Sequence, residues 1–436
     1  MIRTAVRQVT VHALALSLVF ALSGVAMAKS VGVRAESPRI ATLKQAVERG
    51  EAGAVQEFWK QIEANGSPIV EPIAGDEAHV LMTLLARGGD EVMNVIPLFT
   101  DINWRTIDPD ENQLLRLPGT DVWHRTWKAP SDLRNTYQMS VNDSFVPFGQ
   151  IQADDRKSAL AQRQKTWKND PLNPHTFRDN PPNPPYSALA MPKATPQPYQ
   201  DDLPHADVPK GIVSAELTIR SEILHSDRKF WVYTPAGHSK DAGPYPLLVM
   251  FDGPTYMDNF PTPVTLDNLA ARKLIPPMVA VFVHHPDRNE DLKCNADFSA
   301  YVAKELVPWV REHYAVTDDP NRCVVAGSSL GGLGATYAAF QHPECFGRAL
   351  AMTPAYSYGA MAEQVSKSAK LPLRIYITVG SLESEGHVAS NRAMRDMLKA
   401  KGYPLLYTEF SGTHTYFSRQ GRFAEGLIFL LNDNAH

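Results

Sequence analysis

Cysteine is scarce in this chain: three residues in 436, Cys294, Cys323 and Cys345. So few permit at most one internal disulfide and leave a thiol over, which excludes a disulfide-stapled framework. There is no Cys-x-x-Cys, so neither a thioredoxin-type redox motif nor a cysteine-ligated zinc knuckle is encoded. Cys323 falls in an apolar run and reads as an inert core thiol. Long basic runs are missing as well, and the formal net charge is −4, a balance that excludes nucleic acid as a partner. Internal repeats are absent. Beyond Lys29 no stop-transfer pattern appears, and no set of histidines and acids recurs at metal-ligand spacing.

What is present divides the chain. Arg3 and Arg7 precede an apolar stretch from Val11 to Val25, and Ala26-Met27-Ala28 closes it. This is the pattern of a secretory signal peptide over 1–28, cleaved after Ala28, with a retained single membrane anchor as the alternative. It implies no stable membrane insertion once cleaved and, in a Gram-negative host, a periplasmic protein. A chain of 436 residues is long enough for two domains. Over 29–65, Leu43, Ala46 and Val47, then Val55, Phe58, Trp59 and Ile62, recur at helical spacing, broken at Gly50 and at Asn65-Gly66-Ser67-Pro68. Over 66–150 the period shortens to runs bounded by Gly, Asp, Asn or Pro, predicting a small all-β, immunoglobulin-like sandwich. The proline-rich tract 151–205 reads as an extended, non-regular connector. From 206 to 436, near-continuous apolar runs alternate with helical patterns. That predicts an α/β domain with a mostly parallel sheet covered on both faces.

Within that last region, Cys323-Val324-Val325-Ala326 runs into Gly327-Ser328-Ser329-Leu330-Gly331 and then a helix rich in small residues. Gly-x-Ser-x-Gly between a strand and a helix is the nucleophile elbow of α/β-hydrolases. Ser329 is its centre and Ser328 the competing hydroxyl. A serine needs a base, and in this fold the order is Ser, then acid, then His. The run 373–380 ends at Ser381-Leu382-Glu383, so Glu383 is the expected acid, with Glu385 as runner-up. The last strand ends at Phe410-Ser411-Gly412-Thr413-His414, so His414 is the expected base. His387, followed directly by a helix, is expected to be exposed. The Leu330 N–H and the Gly253 N–H, after Phe251-Asp252, are the expected oxyanion donors. His284 and His285 read as pocket wall rather than as metal ligands. Arg288 pairs with Asp291 or faces an anionic substrate. This chemistry calls for no metal and no organic cofactor.

The carboxyl-terminal half resembles the enterochelin (enterobactin) esterase family. The resemblance is carried by Arg288-Asn289-Glu290-Asp291-Leu292 with Cys294-Asn295-Ala296-Asp297-Phe298, by Val324 to Leu333, and by Pro343-Glu344-Cys345-Phe346-Gly347. It extends upstream through Pro118-Gly119-Thr120-Asp121-Val122-Trp123, Asp170-Pro171-Leu172-Asn173-Pro174 and Tyr186 to Pro192. The resemblance implies hydrolysis of the ester backbone of a catecholate siderophore, ferric or iron-free, by Ser329, His414 and Glu383. It also implies Arg288 beside the anionic substrate. Tyr356 and Tyr358, with Tyr416 and Phe417, are candidate ring contacts for catechols. The chain departs from the family's usual residues at Ser328 and Leu330, at Thr353 to Tyr358, and at Thr413 and Thr415. These departures bear on the pocket rather than on the chemistry. An esterase for another aromatic or carbohydrate ester, and a siderophore-binding protein without turnover, are the alternatives.

Overall fold

The computed structural model describes residues 30–102, 109–143, 164–177, 185–197 and 208–432, together with residues 158, 161, 162 and 199. The expected leader, 1–28, lies outside them. Among the described residues, no helix is long and apolar enough to cross a membrane.

After a three-residue strand at Val33–Ala35 come two helices. Pro38–Glu48 starts with proline at N1 and with the Ser37 hydroxyl accepting the Ile40 N–H at 3.1 Å, a normal N-cap. Ala54–Asn65 follows. Their apolar faces, Ile40 and Leu43 with Phe58, Trp59 and Ile62, pack on Leu85, Leu117 and Val122 of the neighbouring sheet.

That sheet is one half of a sandwich. It consists of β1 (Val33–Ala35), β2 (Ile69–Ile73), β3 (Asp76–Arg87), β5 (Leu115–Arg116) and β6 (Val122–Pro130), ordered β1-β6-β3-β2 with β5 on β6. The other half holds β4 (Val95–Phe99), β7 (Arg134–Val141), β8 (Trp167–Lys168), β9 (Thr176–Phe177) and β10 (Tyr186–Ala190), ordered β4-β7-β10-β9 with β8 on β7. All pairings are antiparallel. Met82, Leu84, Phe99, Trp127, Tyr137 and Leu189 fill the space between the sheets.

The tract expected to be an irregular connector supplies β8, β9 and β10. Tyr186-Ser187-Ala188-Leu189-Ala190 contains no proline, so its N–H groups can join the ladder to β7. The prolines on either side obscure this five-residue strand when the tract is read by composition.

The second half is an α/β-hydrolase domain. Its strands are β11 (Ile212–Val213), β12 (Leu217–Ser221), β13 (Ser226–Thr234), β14 (Leu247–Met250), β15 (Val279–Val283), β16 (Cys323–Ser328), β17 (Arg348–Met352), β18 (Arg374–Gly380) and β19 (Leu405–Phe410). The order is β11-β13-β15-β14-β16-β17-β18-β19, with β12 on β13. The strands from β15 to β19 in that order run parallel. Alternate residues enter opposite cores: Val249, Val325, Ala351 and Ile377 on one face, Leu248, Val324, Leu350 and Tyr376 on the other. Because both faces are covered by helices, the central strands β14, β15 and β16 are nearly continuous apolar runs. The parallel registers bring the carboxyl ends of β14, β16, β18 and β19 to one edge, where ligands of such sheets bind.

Candidate active site

The turn at that edge has the backbone its sequence calls for. Ser329 has φ 58° and ψ −121°, a region that costs free energy and is held only when its surroundings enforce it. Here they do: the Ser329 N–H donates to the Met352 carbonyl at 3.0 Å, and its carbonyl accepts from Ala355 at 2.9 Å and Leu333 at 3.0 Å. Gly327 cannot carry a side chain, because a Cβ would lie 2.4 Å from the Gly331 carbonyl carbon. The competing Ser328 is buried and its hydroxyl lies 3.5 Å from that of Thr353. Ser329 is therefore the hydroxyl presented at the head of the helix Leu330–Gln341.

β18 and β19 end side by side, with Gly380 opposite Phe410, and the loops that follow bring Glu383 and His414 together. His414 Nδ1 is 2.7 Å from Glu383 Oε2. The other carboxylate oxygen accepts the Gly380 N–H at 2.9 Å. Glu383 is 4 % exposed. Burial alone would push its carboxyl up; the hydrogen bond and charge of His414, the nearby His387 and the Gly380 amide reverse this and hold it below the ordinary range. Glu385, the alternative acid, is exposed at the start of the helix Glu385–Ala400. No hydrogen bond joins the Ser329 hydroxyl to His414; catalytic hydrogen bonds of this kind tighten in the Michaelis complex.

His387 departs from expectation. It is not exposed: its side chain is 14 % accessible, with Nε2 3.2 Å from Glu383 Oε2 and 3.2 Å from the Thr353 carbonyl oxygen. Burial pushes its pKa down against the opposing pull of Glu383. The signal that could have found it is its nearness in sequence: residue 387 follows the expected acid by four positions, in the first turn of the helix that begins at Glu385. Among the described residues, the ligand atoms of Glu383, His387 and His414 lie close enough together to hold a metal ion. A cation there would have to break the 2.7 Å acid–base hydrogen bond.

Gly253 begins the short helix Gly253–Asp258, packed so close to β15 that a Cβ would lie 2.7 Å from the Phe282 carbonyl carbon. Its N–H and that of Leu330, each at the first position of a helix, have no intrahelical acceptor. Arg288 meets neither Asp291 nor open solvent alone. Its guanidinium is bidentate on Asp252, at 2.6 and 2.8 Å, and reaches the Ser328 carbonyl at 3.3 Å. It thus joins the turn before Gly253 to the elbow, and its charge is matched by a carboxylate. Asp291 instead sits between Arg228, in a very short ion pair, and His285 Nδ1 at 3.1 Å. His285 belongs to a buried polar cluster rather than to a pocket wall.

Tyr356 is also relocated. It is 5 % exposed and its hydroxyl is 2.8 Å from that of Thr336, so it is core and offers no ring face. Tyr358 is 56 % exposed, with the Lys293 ammonium 5.9 Å from its ring centroid. Tyr416 packs edge-on to Tyr256 and Phe260. Cys323 and Cys345 are buried, which raises their thiol pKa values to about 11 and about 12.

An esterase family model matches residues 221–430, and a model described as the amino-terminal domain of enterochelin esterase matches residues 82–200. The iron(III) enterobactin esterase of Dickeya dadantii is 30 % identical over 90 % of this chain and 95 % of its own length. That of Escherichia coli CFT073 is 30 % identical over 72 % of this chain and 80 % of its own. Among solved structures, the ferric enterobactin esterase of Salmonella typhimurium superposes with a TM-score of 0.71 at 25 % identity, over 86 % of this chain and 98 % of that one. The Shigella flexneri enterobactin esterase determined in the presence of enterobactin gives 0.68 at 26 % identity, over 87 % and 98 %. With both domains matched in one chain and in the same order, the protein is a carboxylic ester hydrolase and belongs to the enterobactin esterase family.

Proposed function

We propose that the chain is a periplasmic serine esterase that hydrolyses the ester backbone of an enterobactin-like catecholate siderophore and so promotes iron release. The observation that carries the mechanism is the 2.7 Å contact between His414 Nδ1 and Glu383 Oε2. The carboxylate fixes the proton on Nδ1 and leaves Nε2 as a base. In the substrate complex His414 takes the Ser329 proton as Oγ attacks the ester carbonyl carbon. The oxyanion accepts from the Leu330 and Gly253 N–H groups. Collapse breaks the bond to the alkoxy oxygen, which leaves as the alcohol with the proton from His414. Water then attacks the acyl-enzyme by the same route, returning Ser329 and releasing the acid. Iron takes part only as a component of the substrate.

The relatives named for enterobactin and the exposed Tyr358 beside Lys293 support a catecholate substrate: a ring face and a cation suit an anionic aromatic chelate. Incubation with enterobactin, a feruloyl ester and an acetylated sugar, with products identified by mass, tests this. Faster turnover of either of the last two refutes the siderophore assignment, and siderophore binding without cleavage refutes the enzymatic one. The periplasmic assignment rests on the 1–28 leader pattern. It expects Lys29 as the first residue of the mature protein, and an intact leader on protein recovered from cells overturns it.

A further inference from the structure

Every residue given a chemical role above lies after residue 208, yet the loops bearing Glu383 and His414 are gripped from outside their own sheet. At the start of β7, the Arg134 N–H donates to the Ser411 carbonyl at 2.8 Å, and Arg134 bridges to Gly412 in parallel. The Arg134 carbonyl accepts from the Ser418 hydroxyl at 2.7 Å. One residue further, Asn135 Oδ1 lies 2.8 Å from the Thr413 hydroxyl, and the Thr100 carbonyl oxygen lies 3.1 Å from it. Both Thr413 and Asn135 are fully buried. The approach is so close that a Cβ at Gly412 would stand 2.6 Å from the Arg134 carbonyl oxygen, which is why this loop position is glycine. The acid's loop is held as well. Leu382, next to Glu383, packs against the sandwich core. The two loops are tied to each other by Ser381 N–H to Phe410 O at 2.8 Å and Leu382 N–H to Gly412 O at 3.0 Å.

We infer that the amino-terminal sandwich is part of the active site. Thr100, Arg134 and Asn135 are positioning residues that set the His414 imidazole against Glu383 through Gly412 and Thr413. The inference rests on His414 as the catalytic base and goes beyond it by assigning its placement to the other domain. The physical reason is precision. The stretch from Ser411 to Thr415 lies outside the ladder of β18 and β19 and belongs to no helix or strand. The one proton of the buried Thr413 hydroxyl is shared between the Asn135 and Thr100 oxygens, which fixes this residue beside the imidazole, and a displacement of about 1 Å costs about a hundredfold in rate.

The test uses the full chain. Hydrolysis of a p-nitrophenyl ester and inactivation by a fluorophosphonate both need a competent base, and neither depends on the natural substrate. Fluorophosphonate joins Ser329 Oγ to phosphorus, expels fluoride and passes the serine proton to His414. Thr413→Val is expected to lower kcat and the inactivation rate about tenfold or more with KM within about twofold, and to move the acid limb of kcat/KM. Thr413→Ser restores the rates to within about threefold. Asn135→Ala, made in the other domain, reproduces the loss and decides the matter if Thr413→Val does not fold. Folded Thr413→Val and Asn135→Ala chains that react at the parental rate overturn the inference, as does a loss confined to the melting temperature. A parental chain inert to fluorophosphonate refutes the serine-esterase reading itself, and the positioning role with it.

Discussion

Replacing Glu383 by glutamine interrogates the site with one atom. The native carboxylate accepts the His414 Nδ1–H at 2.7 Å through one oxygen and the Gly380 N–H at 2.9 Å through the other. Glutamine is the same size, and its remaining oxygen can keep the Gly380 bond. Its NH₂ then faces His414, which must turn a lone pair toward it and carry its proton on Nε2. That tautomer cannot accept the Ser329 proton. The imidazolium formed in the transition state also loses its counter-charge in a site where Glu383 is 4 % exposed. By analogy with loss of the acid in other Ser-His-Asp systems, kcat should fall about 10³- to 10⁴-fold, or about 4 to 5.5 kcal/mol of transition-state stabilisation. KM should change little, because the acid does not touch substrate. The assay is steady-state hydrolysis of a soluble ester across pH, with circular dichroism to verify the fold. Glu385→Gln is the comparison, since that side chain is exposed at the start of its helix. A folded Glu383→Gln enzyme within about tenfold of the parent, or a collapse on Glu385→Gln instead, would refute the assignment.

Three further outcomes follow from the geometry. Arg288→Ala leaves the Asp252 carboxylate without its bidentate partner and loosens the turn carrying Gly253, so kcat should fall with KM nearly constant; a rise in KM alone would mean that the guanidinium binds substrate. Tyr356→Phe removes one buried hydroxyl contact with Thr336 and should cost about 1 kcal/mol in denaturant unfolding while leaving kcat/KM within about twofold; a large KM change would return the ring to the pocket. Acidification should destabilise the fold in two stages. His387 titrates below its ordinary value near 6.5 and Glu383 below its ordinary value near 4.5, so the unfolded chain takes up protons first at both, and stability is lost as pH falls from about 6.5 and again below about 4.5. Urea midpoints across pH measure this, and a midpoint that rises on acidification through that range contradicts it.

The strand-turn-helix at Ser329 was legible because its demands are local. An apolar run, two glycines and a hydroxyl between them specify a backbone that few other sequences tolerate. That Glu383 and His414 meet was legible because chain order in this fold restricts where an acid and a base can fall, and each lies in the loop after a strand. The roles of His387, Arg288 and Tyr356 were not. Each depends on the partner met across the fold: Glu383 beside His387, Asp252 beside Arg288, Thr336 beside Tyr356. Composition also hid β10, since proline-rich flanks outweighed five residues that pair with β7.

By itself, then, the order of amino acids determined the two-part architecture, the alternation of apolar strands and helices, and the serine turn, because these follow from periodicity and from what a backbone can sterically adopt within a few residues. Only the tertiary structure decided which charges neutralise one another, which tyrosine is core, and that β7 of the sandwich lies against the loop of His414. Such contacts join residues nearly 280 positions apart, where no local periodicity constrains the pairing and only the packing of two complete domains brings the groups within bonding distance.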